Sequence, residues 1–229
     1  MDIILKYFSE FTDKQLQQFE ALGELYKEWN AKINVISRKD IDSLYEKHVL
    51  HSLSIAVAFD FPSGAEIIDI GTGGGFPGVP LAIFFPDVKF HLVDSIGKKL
   101  KIIEAVKEEI GLVNVTTQHT RAEDIKDRKF DFAVSRAVAP LKELWRWSEP
   151  LLKSSKFRVQ SSKGETVLYS GLICLKGGDL KQEIAESGLR PKKIEVSDIF
   201  EEEFFKEKYL LYTAHSIPQG GRVRRTKPA

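Results

Sequence analysis

The chain has 229 residues, a length that fits one domain or one domain with an extension. Apolar residues make up 42% and charged residues 29%, which excludes wholesale disorder, and 34 Lys and Arg against 33 Asp and Glu leave a formal charge of +1, which excludes a histone-like basic protein. The single cysteine, Cys174, excludes an internal disulfide and a cysteine zinc cluster, and no apolar run approaches the ~20 residues of a membrane helix.

The opening stretch MDIILKYFSEF lacks the basic and apolar regions of a signal peptide, so a cytoplasmic protein is expected. Thr12 and Gln15 form a capping-box pair that opens a helix. Leu16, Phe19, Leu22, Tyr26, Trp29 and Ile33 then recur at steps of three and four, one apolar face. A second helix is expected over 40–59, with Ile41, Leu44, Tyr45, His48 and Leu53 turned inward. Residues 1–60 are thus predicted as a helical extension and 61–229 as the main domain.

Beyond Pro62-Ser63-Gly64 the pattern changes. Strands are predicted at 66–70, 89–93, 115–119, 130–134 and 172–175, and helices at 79–85, 97–110 and 141–152. Alternation of this kind builds βαβ units, so the fold class is α/β with a mostly parallel, Rossmann-like sheet. A late antiparallel strand is expected at 209–215, and 154–170 reads as a loop or hairpin. Cys174 falls in a strand, where a small buried side chain is its simplest use.

The first strand runs into Asp69-Ile70-Gly71-Thr72-Gly73-Gly74-Gly75-Phe76-Pro77-Gly78, and a helix follows. Glycines there admit positive φ and close approach of a ligand, and the helix start offers free N–H groups to an anion. Gly73, Gly75 and Gly78 satisfy the dinucleotide fingerprint of nicotinamide enzymes. Asp69 to Gly75 also satisfies the D-x-G-x-G-x-G pattern of S-adenosylmethionine-dependent methyltransferases. An acid at the strand end would repel a pyrophosphate, whereas Asp69 suits the ammonium of S-adenosylmethionine, so the second cofactor is favoured. Asp94, at the end of the second strand, is placed to accept hydrogen bonds from ribose hydroxyls, which both cofactors carry. Arg121-Ala122-Glu123-Asp124 follows the third strand, where the fold covers an adenine. Phe76 reads equally well as core or as cavity wall.

The acceptor-side segment is Val134-Ser135-Arg136-Ala137-Val138-Ala139-Pro140. It lacks the Asn/Asp-Pro-Pro-aromatic motif of amine methylation, and Cys174 lacks the context of a nucleophile for pyrimidine C5. An acceptor that is already nucleophilic remains, and guanine N7, with an in-plane lone pair and no proton to lose, fits. Arg136 suits a guanine O6, a phosphate or the cofactor carboxylate. An in-line displacement at guanine N7 needs alignment and no general base.

These residues resemble one family, the 16S rRNA guanine-N7 methyltransferases called RsmG or GidB. The resemblance is carried by Trp29-Asn30, Ile33-Asn34, His48-Val49-Leu50-His51-Ser52-Leu53, the glycine loop through Leu81, and Leu92-Val93-Asp94-Ser95 with Lys98-Lys99. Arg121-Ala122-Glu123, Ser135-Arg136-Ala137 and Leu175-Lys176-Gly177-Gly178 continue it. It implies methylation of a guanine N7 in small-subunit rRNA, with cofactor contacts at Gly71, Phe76, Ala122, Glu123 and Arg136. His51 stands where the family commonly has Asp. The implied partner is small-subunit rRNA or the 30S particle, met by a monomer with no metal. The alternatives are a nicotinamide-dependent oxidoreductase and a non-catalytic RNA-binding assembly factor.

The near-zero total charge hides segregation. Residues 140–192 carry a net +4 and residues 204–229 a net +5. His48, His51 and Lys176 are expected on RNA together with the tail cations Arg222, Arg224, Arg225 and Lys227, because phosphate contacts need only a local basic footprint.

Overall fold

The computed structural model describes residues 1–37, 39–161 and 164–215. A short helix α1 (Asp2–Leu5) precedes α2 (Asp13–Lys32). Thr12 caps α2 as its sequence predicts: its hydroxyl accepts from the Gln15 N–H at 3.3 Å, and Gln15 Oε1 accepts from the Thr12 N–H at 3.0 Å. Phe19, Leu22 and Tyr26 are fully buried, while Leu16 and Trp29 lie at the margin. The single helix expected over 40–59 is divided instead. A 3₁₀ turn (Ile41–Ser43) and a π-helical turn (Tyr45–Leu50) lead into α3 (His51–Ala58). The wide turn carries Val49 and Leu50 into the core and leaves His48 facing the glycine loop.

β1 (Glu66–Ile70), α4 (Gly78–Phe84), β2 (Lys89–Asp94), α5 (Gly97–Glu109), β3 (Val115–His119), β4 (Phe132–Arg136) and α6 (Leu141–Ser148) then alternate. A hairpin of β5 (Lys156–Ser161) and β6 (Gly164–Tyr169) occupies the stretch read as loop or hairpin. β7 (Gly171–Gly177), α7 (Lys181–Ser187), β8 (Lys192–Glu195) and β9 (Lys208–Ala214) complete the order. The sheet runs β3-β2-β1-β4-β7-β9-β8, with β9 antiparallel to both neighbours. Strand order reverses between β1 and β4, so a crevice opens there at the carboxyl ends.

Alternate side chains serve opposite faces, the period of two that strands impose. Ile67, Phe132, Leu175 and Leu210 join Phe19, Leu22, Tyr26 and Leu53 on one side. Ile68, Ala133, Cys174 and Leu211 meet Leu141 and Leu144 of α6 on the other. The N-terminal helices therefore share a core with the sheet.

The helix expected to reach residue 152 stops at Ser148, because Pro150 cannot donate to a helical ladder and a 3₁₀ turn (Glu149–Leu151) takes over. Phe130 makes an isolated bridge to Leu152, and the regular strand starts at Phe132. α1, α7 and β8 carry no clear signal in the sequence: α7 buries no residue and β8 is mostly exposed, so neither has an apolar period. Among the described residues no helix is long and apolar enough to cross a membrane.

Candidate active site

The glycine loop leaves β1 and is fastened from both sides. The N–H groups of Gly71 and Thr72 donate to the Val93 carbonyl at 2.9 and 3.0 Å, tying the loop to β2. Below it, Asp69 Oδ2 accepts from Thr72 Oγ1 at 2.7 Å and from the Gly78 N–H at 2.9 Å. Asp69 is fully buried and its Oδ1 has no partner among the described residues, so desolvation pushes its carboxyl up to about 7, against the two hydrogen bonds. The sequence suggested Asp69 for the cofactor's ammonium. The structure places it under the loop, off the cavity wall, closing the turn onto the start of α4.

Gly75 likewise sits behind the wall. A Cβ there would fall 2.6 Å from Val79 Cγ2 and 3.0 Å from Tyr26 Oη, at a φ of +97°. Gly71 and Gly73 do line the cavity. Tyr26 Oη donates to the Gly74 carbonyl at 2.5 Å, so α2 reaches the loop directly. By its spacing Tyr26 belongs to the apolar face of α2, and its residue type alone carries no other signal.

The cavity has a volume of about 520 Å³, within the range of small-ligand sites. It spans the carboxyl ends of β4, β1, β2 and β3. At the β4 end stand Val35, Phe76 and Arg136; Gly71, Gly73 and Asp94 follow, then Thr120, Ala122, Glu123 and Trp147. Phe76 proves to be both core and wall, 3% exposed, with its ring centroid 4.9 Å from that of Tyr26. Asp94 holds the loop as well as facing the cavity. Its Oδ2 accepts from the Gly73 N–H at 2.9 Å, its Oδ1 from the Ile96 N–H at 2.8 Å, and Lys99 Nζ stands 4.0 Å away. Trp147 Nε1 is buried in the cavity wall without a partner among the described residues, a donor that sequence spacing gives no means to find.

Arg136 donates from Nη1 to the Lys47 carbonyl at 3.2 Å and from Nη2 to His48 Nδ1 at 2.8 Å, with its guanidinium carbon 5.1 Å from the Phe76 ring centroid. Burial lowers its pKa to about 10, countered by Asp69 and Tyr26, so it stays charged at neutral pH. An arginine only donates, hence His48 Nδ1 accepts and a neutral His48 carries its proton on Nε2. Burial first, then Arg136, lowers the His48 pKa to about 3.

The expected RNA contacts divide. His48 is half-buried at the cavity's Arg136 end. His51 is 6% exposed, packed edge-on against Phe204 and Phe205, and its Nε2 has no partner among the described residues. Burial, with Arg136 next, lowers its pKa to about 3. Lys176 is also withdrawn from the surface: its Nζ pairs with Glu183 Oε1 at 2.6 Å and donates to the Ala139 carbonyl at 2.5 Å. Arg222, Arg224, Arg225 and Lys227 lie outside the described residues.

The family profile described as rRNA small subunit methyltransferase G, GidB, matches residues 15–196. The chain belongs to the GidB family. A curated ribosomal RNA small subunit methyltransferase G of Bacteroides thetaiotaomicron is 53% identical over 213 residues, covering 93% of this chain and 99% of its own. That of Cytophaga hutchinsonii is 49% identical, covering 93% and 98%.

Solved structures share the fold. An S-adenosylmethionine-dependent methyltransferase from Aquifex aeolicus superimposes with a TM-score of 0.55 at 15% identity, over 79% of this chain and all of that one. MtNAS, solved with MTA and tNA, gives 0.58 at 13% identity, over 89% and 70%. The GidB protein is thus an rRNA methyltransferase with S-adenosylmethionine as methyl donor, which sets aside the nicotinamide reading. The residues present fit that cofactor: Asp94 faces the cavity for a ribose, the glycine loop admits close approach, and the unpartnered Trp147 donor suits an adenine nitrogen.

Proposed function

We propose that the protein methylates N7 of a guanine in small-subunit rRNA, acting as a monomer in the cytoplasm. The observation that carries this is that, among the described residues, the end of the cavity where the acceptor would enter offers no available base. His48 Nδ1 is already taken by Arg136, and its other nitrogen bears a proton. The acids lining the cavity, Asp94 and Glu123, stand toward β2 and β3, away from the β4 end. An acceptor that must lose a proton finds no such group there among the described residues, whereas guanine N7 attacks with its own lone pair.

Bound S-adenosylmethionine supplies an electrophilic methyl group on a sulfonium. Asp94 binds the ribose, and the turn at Ala122 and Glu123 covers the adenine. Gly71, Gly73 and Phe76 shape the methionine side. Arg136 holds guanine O6 or a carboxylate with the N–H groups that Lys47 and His48 leave free, and so fixes orientation. Alignment of this kind supplies ~7–11 kcal/mol of the barrier in well-oriented reactions. The tail cations Arg222, Arg224, Arg225 and Lys227 add affinity for RNA phosphates.

Incubation of unmethylated small-subunit rRNA with the protein and methyl-labelled S-adenosylmethionine, followed by nucleoside mapping, tests the reading. Label in 7-methylguanosine is expected. Label in any other nucleoside overturns the assignment.

A further inference from the structure

The carboxyl edge of the sheet continues past Arg136 to a cation that the cavity does not include. Arg136 pairs with Leu175 across β4 and β7, and Gly177 pairs with Lys208 across β7 and β9. Leu175 and Gly177 are two apart on one strand, so Arg136 and Lys208 project from the same face. Two strand spacings and two residues put their Cα atoms roughly 12 Å apart, about two nucleotide steps of an RNA backbone at ~6 Å each.

Lys208 is held in place. A Cβ on Gly177 would lie 3.2 Å from both Cδ and Nζ of Lys208, so the side chain lies over the position that glycine leaves bare. Glu207, just before it, adopts a left-handed φ of +57°, and its carbonyl accepts from the Gly178 N–H at 3.0 Å. The Lys208 ammonium stands 5.1 Å from the Phe204 ring centroid, and Lys47 Nζ stands 5.9 Å from the same ring. Lys47 is the residue whose carbonyl receives Arg136. Its ammonium is neutralised by Asp40 at 2.5 Å, while Lys208 has no ion pair among the described residues. A cation fixed on an aromatic ring, with no carboxylate bound to it, suits a phosphate.

We propose that Lys208, seated on Phe204 and over Gly177, contacts a backbone phosphate of the RNA whose target base lies at Arg136. This rests on the RNA reading of the site and gives a use to the Gly177-Gly178 pair. The test measures binding of unmethylated small-subunit rRNA against salt, with methyl-transfer kinetics, for wild type, Lys208→Gln and Lys208→Arg. Lys208→Gln is expected to flatten the slope of log K against log salt by about one, to raise KM for RNA several-fold, and to leave S-adenosylhomocysteine affinity unchanged. Lys208→Arg restores the slope. An unchanged slope and KM overturn the proposal, and so does an equal loss of cofactor affinity, which would mean a structural role. A methyl group found off guanine N7, with the Lys208→Gln slope still reduced, fails the base assignment alone. Normal N7 methylation with an unchanged slope fails this inference alone.

Discussion

Tyr26→Phe removes one oxygen atom and leaves the ring in place. In the native chain that oxygen donates to the Gly74 carbonyl at 2.5 Å in a fully buried setting, and burial holds the phenol well above its usual range, so it is always a donor. The variant opens almost no cavity, and its whole effect is a buried carbonyl without a partner, worth ~1–3 kcal/mol. For a chain of this size 2 kcal/mol lowers Tm by ~4–8 °C. Because Gly74 lines the cavity, cofactor affinity falls as well. If about 1 kcal/mol is recovered only when ligand reorders the loop, binding weakens ~5-fold. Urea titration with a fixed m-value gives the first quantity and calorimetry with S-adenosylhomocysteine the second. A stability loss below ~0.5 kcal/mol with unchanged affinity refutes the coupling of α2 to the loop.

Two glycines in the same loop should respond unequally to alanine. Gly73 (φ +58°) has none of the described residues within 4 Å of a Cβ, so Gly73→Ala costs only the ~1–2 kcal/mol of a left-handed residue, whereas Gly75→Ala adds the 2.6 Å clash with Val79 and unfolds at markedly lower urea. The pH profile of stability offers a further check. A folded His51 near pKa 3 refuses the proton that the unfolded chain takes up at 6.5, so its contribution is intact above 6.5 and lost as pH falls toward 3. Asp69, raised to about 7 from 3.8, acts in the opposite sense between those values. Wild type should therefore lose up to ~2 kcal/mol more than His51→Gln between pH 7.5 and 5, read from urea midpoints at the two values. Equal losses would show that His51 does not hold its neutral form.

Much of the fold was legible because its carriers are periodic. The α2 face, the strand–helix alternation and the capping box are local patterns, and the structure places them within a residue or two, apart from the early end of α6. What escaped was either aperiodic, as in α7 and β8, or decided by one residue's geometry, as with Pro150 and the widened turn before His51. At the site, the glycine loop and Asp94 were recognisable by spacing. The roles of Asp69, Lys176 and His51 were not, because residue type fixes a charge but not a direction. Asp69 points into the turn, Lys176 to Glu183 and His51 to a phenylalanine pair, and each orientation depends on contacts distant in sequence.

The hydroxyl that α2 lays on the loop makes helix and cavity one thermodynamic unit. Ligand that favours the ordered loop must also favour the docked helix, by linkage, and the two effects are equal in size. Amides in the middle of α2 should exchange more slowly when S-adenosylhomocysteine is bound, although the helix lines no part of the cavity. A chain begun after residue 60 would keep every glycine of the loop and lose the restraint that holds it ready for ligand.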